Sequence, residues 1–255
     1  MYLMISHEQI TKSIKEASIE KPRVTIRAFR AVDDYDASMR FVEGHKRVLT
    51  AHGVKKVSSS SPDWIINPHA FVINVEDSET GKVYGGARVH RYHKDYLLPI
   101  QEATGPMDDL IHEVVRREHE KGGTSELCGL WNSFEVAGLG IGSFFATRAG
   151  IAVAYQLGLK SMFALCAPYT VKWAQRVGCT VVEELGNKGT FFYPKLDLIA
   201  TAVLLEDVNT LEDAKPTERN RVFDFYKNLN QTALEIPPGK RYQVAINYKL
   251  DITNS

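Results

Sequence analysis

The sequence predicts an α/β (α+β) domain, a mixed sheet with helices on both faces. Three observations carry this. Strand-like and helix-like segments alternate along the chain, a β-hairpin stands early in that order, and both ends are rich in strands. No Pro-, Gly- or Ser-rich linker divides the 255 residues. Residues 1–255 therefore read as one domain, with a core over about 22–206 and a C-terminal extension over 207–255.

The elements follow in order. Residues 7–20 read as a polar helix that caps the domain, and residues 23–31 alternate Val24, Ile26 and Ala28 against Arg27, a strand signal. Asp33 or Asp34 can cap the next helix, over about 35–52, which ends near Gly53. Ser58–Ser61 and Pro62 form a loop. AFVINVE (70–76) and KVYGGARVHRY (82–92) flank the turn sequence DSETG, a hairpin. A helix over about 107–120 starts after Pro106 and stops at Gly122-Gly123. A strand at 125–132, a glycine-rich turn and a nearly all-apolar helix at about 141–157 come next. SMFALCA (161–167) is a buried strand, followed by a helix at 169–177 and strands near 179–184 and 196–206. The last fifty residues or so add a helix (217–229), a turn at Pro237-Pro238-Gly239 and the strand RYQVAINYKL.

Composition narrows the functional classes. Hydrophobic residues are 44% and charged residues 24%, ordinary for a globular chain. Lys+Arg and Asp+Glu are both 31, so the net charge is zero, which argues against a nucleic-acid partner. Cys128, Cys166 and Cys179 are an odd, widely spaced set without a CxxC pair. That reads as reduced thiols, not as a disulfide framework or zinc site. The start lacks the apolar stretch of a signal peptide, and no apolar run suffices to cross a bilayer. The expectation is a cytoplasmic protein with no membrane span.

Chemistry concentrates in residues 125–142. A strand leads into Gly138, Gly140 and Gly142, and a long apolar helix follows. Glycines let the chain turn tightly and let a ligand reach the backbone. The helix start offers unpaired amides and the positive end of its dipole, so a pyrophosphate fits there. A Walker loop would need Lys-Ser/Thr after the second glycine, which is absent. A dinucleotide fingerprint would need glycine at Ser143 and an acid about 20 residues on, and neither is present.

AGLGIGSFF resembles the coenzyme A pyrophosphate loop of the GNAT acyltransferases, with Gly140 and Gly142 at its two small positions. ELCGLWNS is similar to the strand whose backbone holds the pantetheine arm, and SMFALCA, helix and VGCTVVEE to the strand, helix and return that follow, with Cys179 in place of Phe. Ala137 stands where the family usually has Gln or Arg. The resemblance implies a mostly antiparallel sheet splayed at its central strand. It implies acyl-CoA, the donor substrate, held by Leu130, Trp131, Asn132, Ala137, Gly138, Leu139, Gly140, Ile141, Gly142 and Ser143. It implies acyl transfer from a thioester to the primary amine of a small molecule by direct attack, with no metal. Gly85 to Arg88, Leu98-Pro99 and Glu126 further resemble the GNAT branch that makes N-acyl amino acids and acyl-homoserine lactones. In that branch acyl groups are long and often arrive on acyl carrier protein. A non-catalytic acyl-CoA-binding domain is the rival reading.

Glu126 opens the donor strand, where a buried carboxylate can deprotonate an amine. A strand-edge pairing with Arg88 or Lys121 is the competing role, and Glu135 is a loop carboxylate. Where many GNATs carry a tyrosine proton donor, this chain has Ala174, and Tyr169 is the nearest substitute. The spacing of His90 and His93 does not make a metal pair; either could line an acceptor pocket, and exposed loop positions are the competing reading. Cys166 reads as a small core residue. Leu127, Leu130, Trp131, Phe163 and Leu165 are expected to border an acyl tunnel.

Overall fold

The computed structural model describes residues 23–51, 61–136, 139, 141–193, 198–237 and 239–253. The expected polar helix at 7–20 and Ala137, Gly138, Gly140 and Pro238 lie outside them. The strands are β1 (Val24–Arg30), β2 (Ala70–Asp77), β3 (Val83–Arg91), β4 (Thr124–Asn132), β5 (Ser161–Cys166), β6 (Thr180–Val181), β7 (Thr190–Tyr193), β8 (Leu198–Leu205), β9 (Asn230–Glu235) and β10 (Val244–Lys249). The helices are α1 (Tyr35–Ala51), α2 (Pro99–Thr104), α3 (Leu110–Glu120), α4 (Ser143–Gln156), α5 (Pro168–Arg176) and α6 (Pro216–Lys227). No helix among the described residues is long and apolar enough to cross a membrane.

All ten strands join one sheet in the order β6-β8-β5-β4-β3-β2-β1-β10-β9, with β7 also on β8. Pairing is antiparallel except at β4–β5 and β1–β10. The hairpin β2–β3 turns at Gly81, whose φ of +70° suits glycine. In the C-terminal part, β10 pairs with β1 and carries β9 on its outer side.

Alternation sends Ile73, Ala87, Val89 and Leu127 to one face, where α4 packs. Gly150 lets that helix lie close, because a Cβ there would come within 2.6 Å of Leu127 Cδ1. On the other face α1 covers β2–β4 through Phe41, and the α2–α3 pair covers β5 and β8 through Leu98, Ile100 and Val114. Asp34 caps α1 as expected, its Oδ1 accepting from Ala37 N–H at 3.0 Å.

Two corrections concern element bounds. The strand expected at 179–184 is only Thr180–Val181, and the helix expected from 107 begins at Leu110, preceded by the separate helix α2. A buried ionic network ties α4 to the C-terminal elements. Arg148 donates to Glu218 at 2.8 Å and to Glu235 at 2.9 Å, while Arg176 reaches Glu218 and Arg221 and Tyr248 reach Glu235.

Candidate active site

The central feature is a fork. β4 and β5 run parallel for only three register pairs, Thr124–Ser161, Ser125–Met162 and Glu126–Phe163, and then part. A bulge lies just beyond, with three steps along β4 from Cys128 to Trp131 matched by two along β3 from Arg88 to Gly86. Gly129, at φ +58°, makes this possible. Its missing side chain also leaves room for Arg88, whose Nε would lie 3.0 Å from a Cβ there.

A cavity of about 1480 Å³ opens at the fork and reaches both faces of the sheet. On the α4 side its wall is apolar: Met162, Ala164, Cys166, Ala174, Val177 and Cys179 all border it. On the α1–α2 side it is polar and aromatic, with His45, Trp64, Arg88, His90, Glu102 and Trp131. The period-2 rule accounts for the polar wall, since Arg88 and His90 share one face of β3 and stand opposite Cys128 and Glu126 of β4.

Glu126 is at the fork itself and is 2% exposed. Its Oε2 accepts from Ile100 N–H, in the first turn of α2, at 2.5 Å. Loss of water raises its pKa to about 8, against the opposing pull of that amide and of Arg88. The pairing with Lys121 is absent, because Lys121 binds Glu118. Glu135 is exposed, pairs with Lys82 at 2.6 Å and does not border the cavity.

The donor-side residues fall at the cavity's other mouth. Leu130, Asn132 and Ile141 border it. Leu139 gives its carbonyl to Tyr242 Oη at 2.9 Å. Gly142, at φ +125° and ψ −113°, precedes α4, which starts with no side-chain cap on its first amides. A Cβ on Gly142 would lie 2.2 Å from Asn132 Oδ1. Ser143 is the first residue of α4. Trp131 turns its ring to the α1 face, where it packs against Phe41 and His45.

Several sequence expectations shift. His90 is not an exposed loop residue but a buried one facing the cavity, whereas His93 is outside it and stacks on His69 at 4.3 Å. Phe163 packs under α2 and α3 and does not border the cavity. Tyr169 is 77% exposed, at the rim. Cys166 does border the cavity, but burial pushes its thiol up, away from a reactive thiolate. Tyr193, unremarked in the sequence, reaches the cavity, donates to the Ala103 carbonyl at 3.3 Å and is held protonated by burial and by Glu126.

No protein-family model matches the chain, and no curated protein matches it in sequence. Solved structures do. FeeM, an N-acyl amino acid synthase from uncultured soil microbes, superposes with a TM-score of 0.58 over 78% of this chain and 99% of its own, at 15% identity. BjaI, a CoA-dependent acyl-homoserine lactone synthase determined with SAM and isopentyl-CoA, gives 0.53 over 79% and 88%, at 12% identity. The acyl-homoserine lactone synthase LasI gives 0.52 over 74% and 92%, at 14% identity. The chain thus has a GNAT-like fold, shared with these N-acyl amino acid and acyl-homoserine lactone synthases. The splayed sheet implied by the sequence resemblance is the sheet observed.

Proposed function

We propose that this protein is an N-acyltransferase that moves an acyl group from a thioester, on coenzyme A or acyl carrier protein, to the primary amine of a small molecule. The observation that carries the reading is Glu126, a buried carboxyl at the point where β4 and β5 part, in a cavity that is apolar on one face of the sheet and polar on the other. The donor enters from the α4 side, with its pyrophosphate on the loop 137–143 and the first amides of α4, and its pantetheine arm along Leu130–Asn132. The amine arrives from the polar side. Glu126 takes a proton from it, the nitrogen forms a C–N bond at the thioester carbonyl, and the C–S bond breaks as the thiolate leaves. Gly129 and Leu130, outside the β3–β4 ladder, offer amides to the carbonyl oxygen. Tyr169 at the rim and Tyr193 inside are the candidate donors of the proton that the thiolate takes up.

The apolar half of the cavity supports an acyl group longer than acetyl. Each buried methylene is worth about 0.8 kcal/mol, so four further carbons give roughly a hundredfold preference. A donor series from acetyl to dodecanoyl, on both carriers and with an amine panel read by mass spectrometry, tests the function and the length together. A rate that peaks at acetyl-CoA would remove the long-chain reading. Coenzyme A binding with no amide formed on any amine would return the protein to a non-catalytic acyl-CoA-binding role.

Gly142→Ala tests the donor loop. The methyl group meets Asn132 in a backbone region that residues bearing a Cβ rarely enter. Coenzyme A affinity, measured by calorimetry, is expected to fall about tenfold or more, with a loss of about 1–3 kcal/mol in stability from the strain.

A further inference from the structure

Glu126 is held by α2, a helix of only six residues, and each amide in the turn that opens this helix has a traceable partner. Leu98 N–H donates to Gln101 Oε1 at 2.9 Å, and Pro99 has no N–H. Ile100 N–H donates to Glu126, and Gln101 N–H returns to the Leu98 carbonyl at 2.8 Å. The turn therefore keeps two of its donors for itself and sends the third to the carboxyl in the cavity. Gln101 closes the turn. It is 2% exposed, and a buried side-chain amide is stable only when both its ends are engaged. With Oε1 on Leu98 N–H, the other end, Nε2, donates to His112 Nδ1 at 3.1 Å, in the first turn of α3. Gln101 thus ties the start of α2 to α3.

The aim of that third amide matters for the base. Burial pushes the Glu126 carboxyl up, and the Ile100 amide is the larger of the two pulls against it, ahead of Arg88. If the turn slackens and the amide drifts, burial acts with less opposition, and the carboxyl keeps its proton to a higher pH. The other charged and titratable groups around Glu126 are Arg88 and His90 of β3, Glu102 of α2, Cys128 of β4, Cys166 of β5 and Tyr193 of β7. All of them stay in place when Gln101 is replaced. The far end of α2 is pinned by other contacts, since Thr104 Oγ1 donates to the Ile100 carbonyl at 2.7 Å and Tyr193 holds the Ala103 carbonyl. Replacing Gln101 therefore frees the turn at Leu98–Ile100 and not the whole helix.

We propose that Gln101 is a positioning residue for the reaction: tied to Leu98 and His112, it aims the Ile100 amide at Glu126 and fixes the carboxyl at the fork. This rests on the acyltransferase reading, and its test keeps the two apart. The Glu126 carboxyl is followed by NMR of isotope-labelled glutamate, its signal identified by its loss in Glu126→Gln. Over the same pH range kcat/KM and the acceptor KM are measured. Gln101→Met keeps the length of the side chain and removes both of its hydrogen bonds. In this variant the carboxyl and the rising limb of kcat/KM are expected to move up together by about one pH unit, the scale of one weakened hydrogen bond to a charged group. At neutral pH kcat/KM then falls about tenfold and recovers at high pH, where the acceptor KM is unchanged. His112→Leu, at a partly exposed position, leaves the Leu98 bond in place and is expected to give a smaller shift in the same direction. It carries the test if Gln101→Met does not fold. A purely structural role would lower the melting temperature and leave carboxyl and limb at their wild-type pH, which would overturn the proposal. An unmoved carboxyl in an active enzyme thus removes the positioning role and leaves the transferase standing. A carboxyl that moves as expected, in a protein that acylates no amine, does the reverse.

Discussion

Replacing Glu126 by glutamine is expected to lower kcat/KM by about 10²–10³-fold, the range of a lost general base. The pH profile gives the sharper test. With its carboxyl raised to about 8, Glu126 is mostly protonated at neutral pH and gains its base form as pH rises. The wild-type kcat/KM should therefore climb through a limb near pH 8, and Glu126→Gln should lack that limb. Stability moves the opposite way. The folded protein keeps a proton that the unfolded chain, with a value of 4.5, has released. The contribution is fully present below the unfolded value and is lost as pH rises through about 8. Thermal melts across that window should show wild type losing ground relative to the glutamine variant. A pH–rate profile unchanged by the substitution would remove Glu126 from the mechanism.

Arg148→Met is expected to cost about 3 kcal/mol or more, because it removes the shared cation from two buried carboxylates. Glu218 keeps Arg176, and Glu235 keeps Arg221 and the Tyr248 hydroxyl; both remaining arginines are more solvent-accessible than Arg148. For a chain of this size the loss corresponds to a fall of about 6–12 °C in Tm. Lys82→Ala, which breaks the half-exposed pair with Glu135, is the control and should change stability by less than about 1 kcal/mol. Equal melting of the two variants would show that the network is not structural.

How much of this was legible in the sequence depends on the kind of signal. The hairpin, β4 and α4 are readable because each has a strong period or an unbroken apolar run, closed by glycines. β9 is not, since NQTALE is a polar edge strand that exposes Leu234. β7 and α2 span only four and six residues, too few for a period to declare itself. Glu126 is conspicuous as a charge heading an apolar strand. Arg88 and His90 are two residues apart on β3, so alternation alone puts them on one face, a signal the sequence does carry. That His45 and Trp64 join them follows from α1 and the 3-10 turn Asp63–Ile66 crossing the same sheet face, a long-range contact that no local pattern encodes. The interior position of Tyr193 likewise depends on β7 pairing with β8.

The pairing of β1 with β10 shapes how the chain can assemble. Val24 meets Ile246, so the first strand among the described residues is joined by the last. During synthesis the β2–β3 hairpin can form early, while one edge of β1 keeps unpaired backbone groups until β10 has left the ribosome. Closing so long a loop is entropically costly and places a late, slow step in folding. Through that interval β1, with Val24, Ile26 and Ala28 on one side, is a template for another nascent chain, and aggregation competes with completion of the sheet.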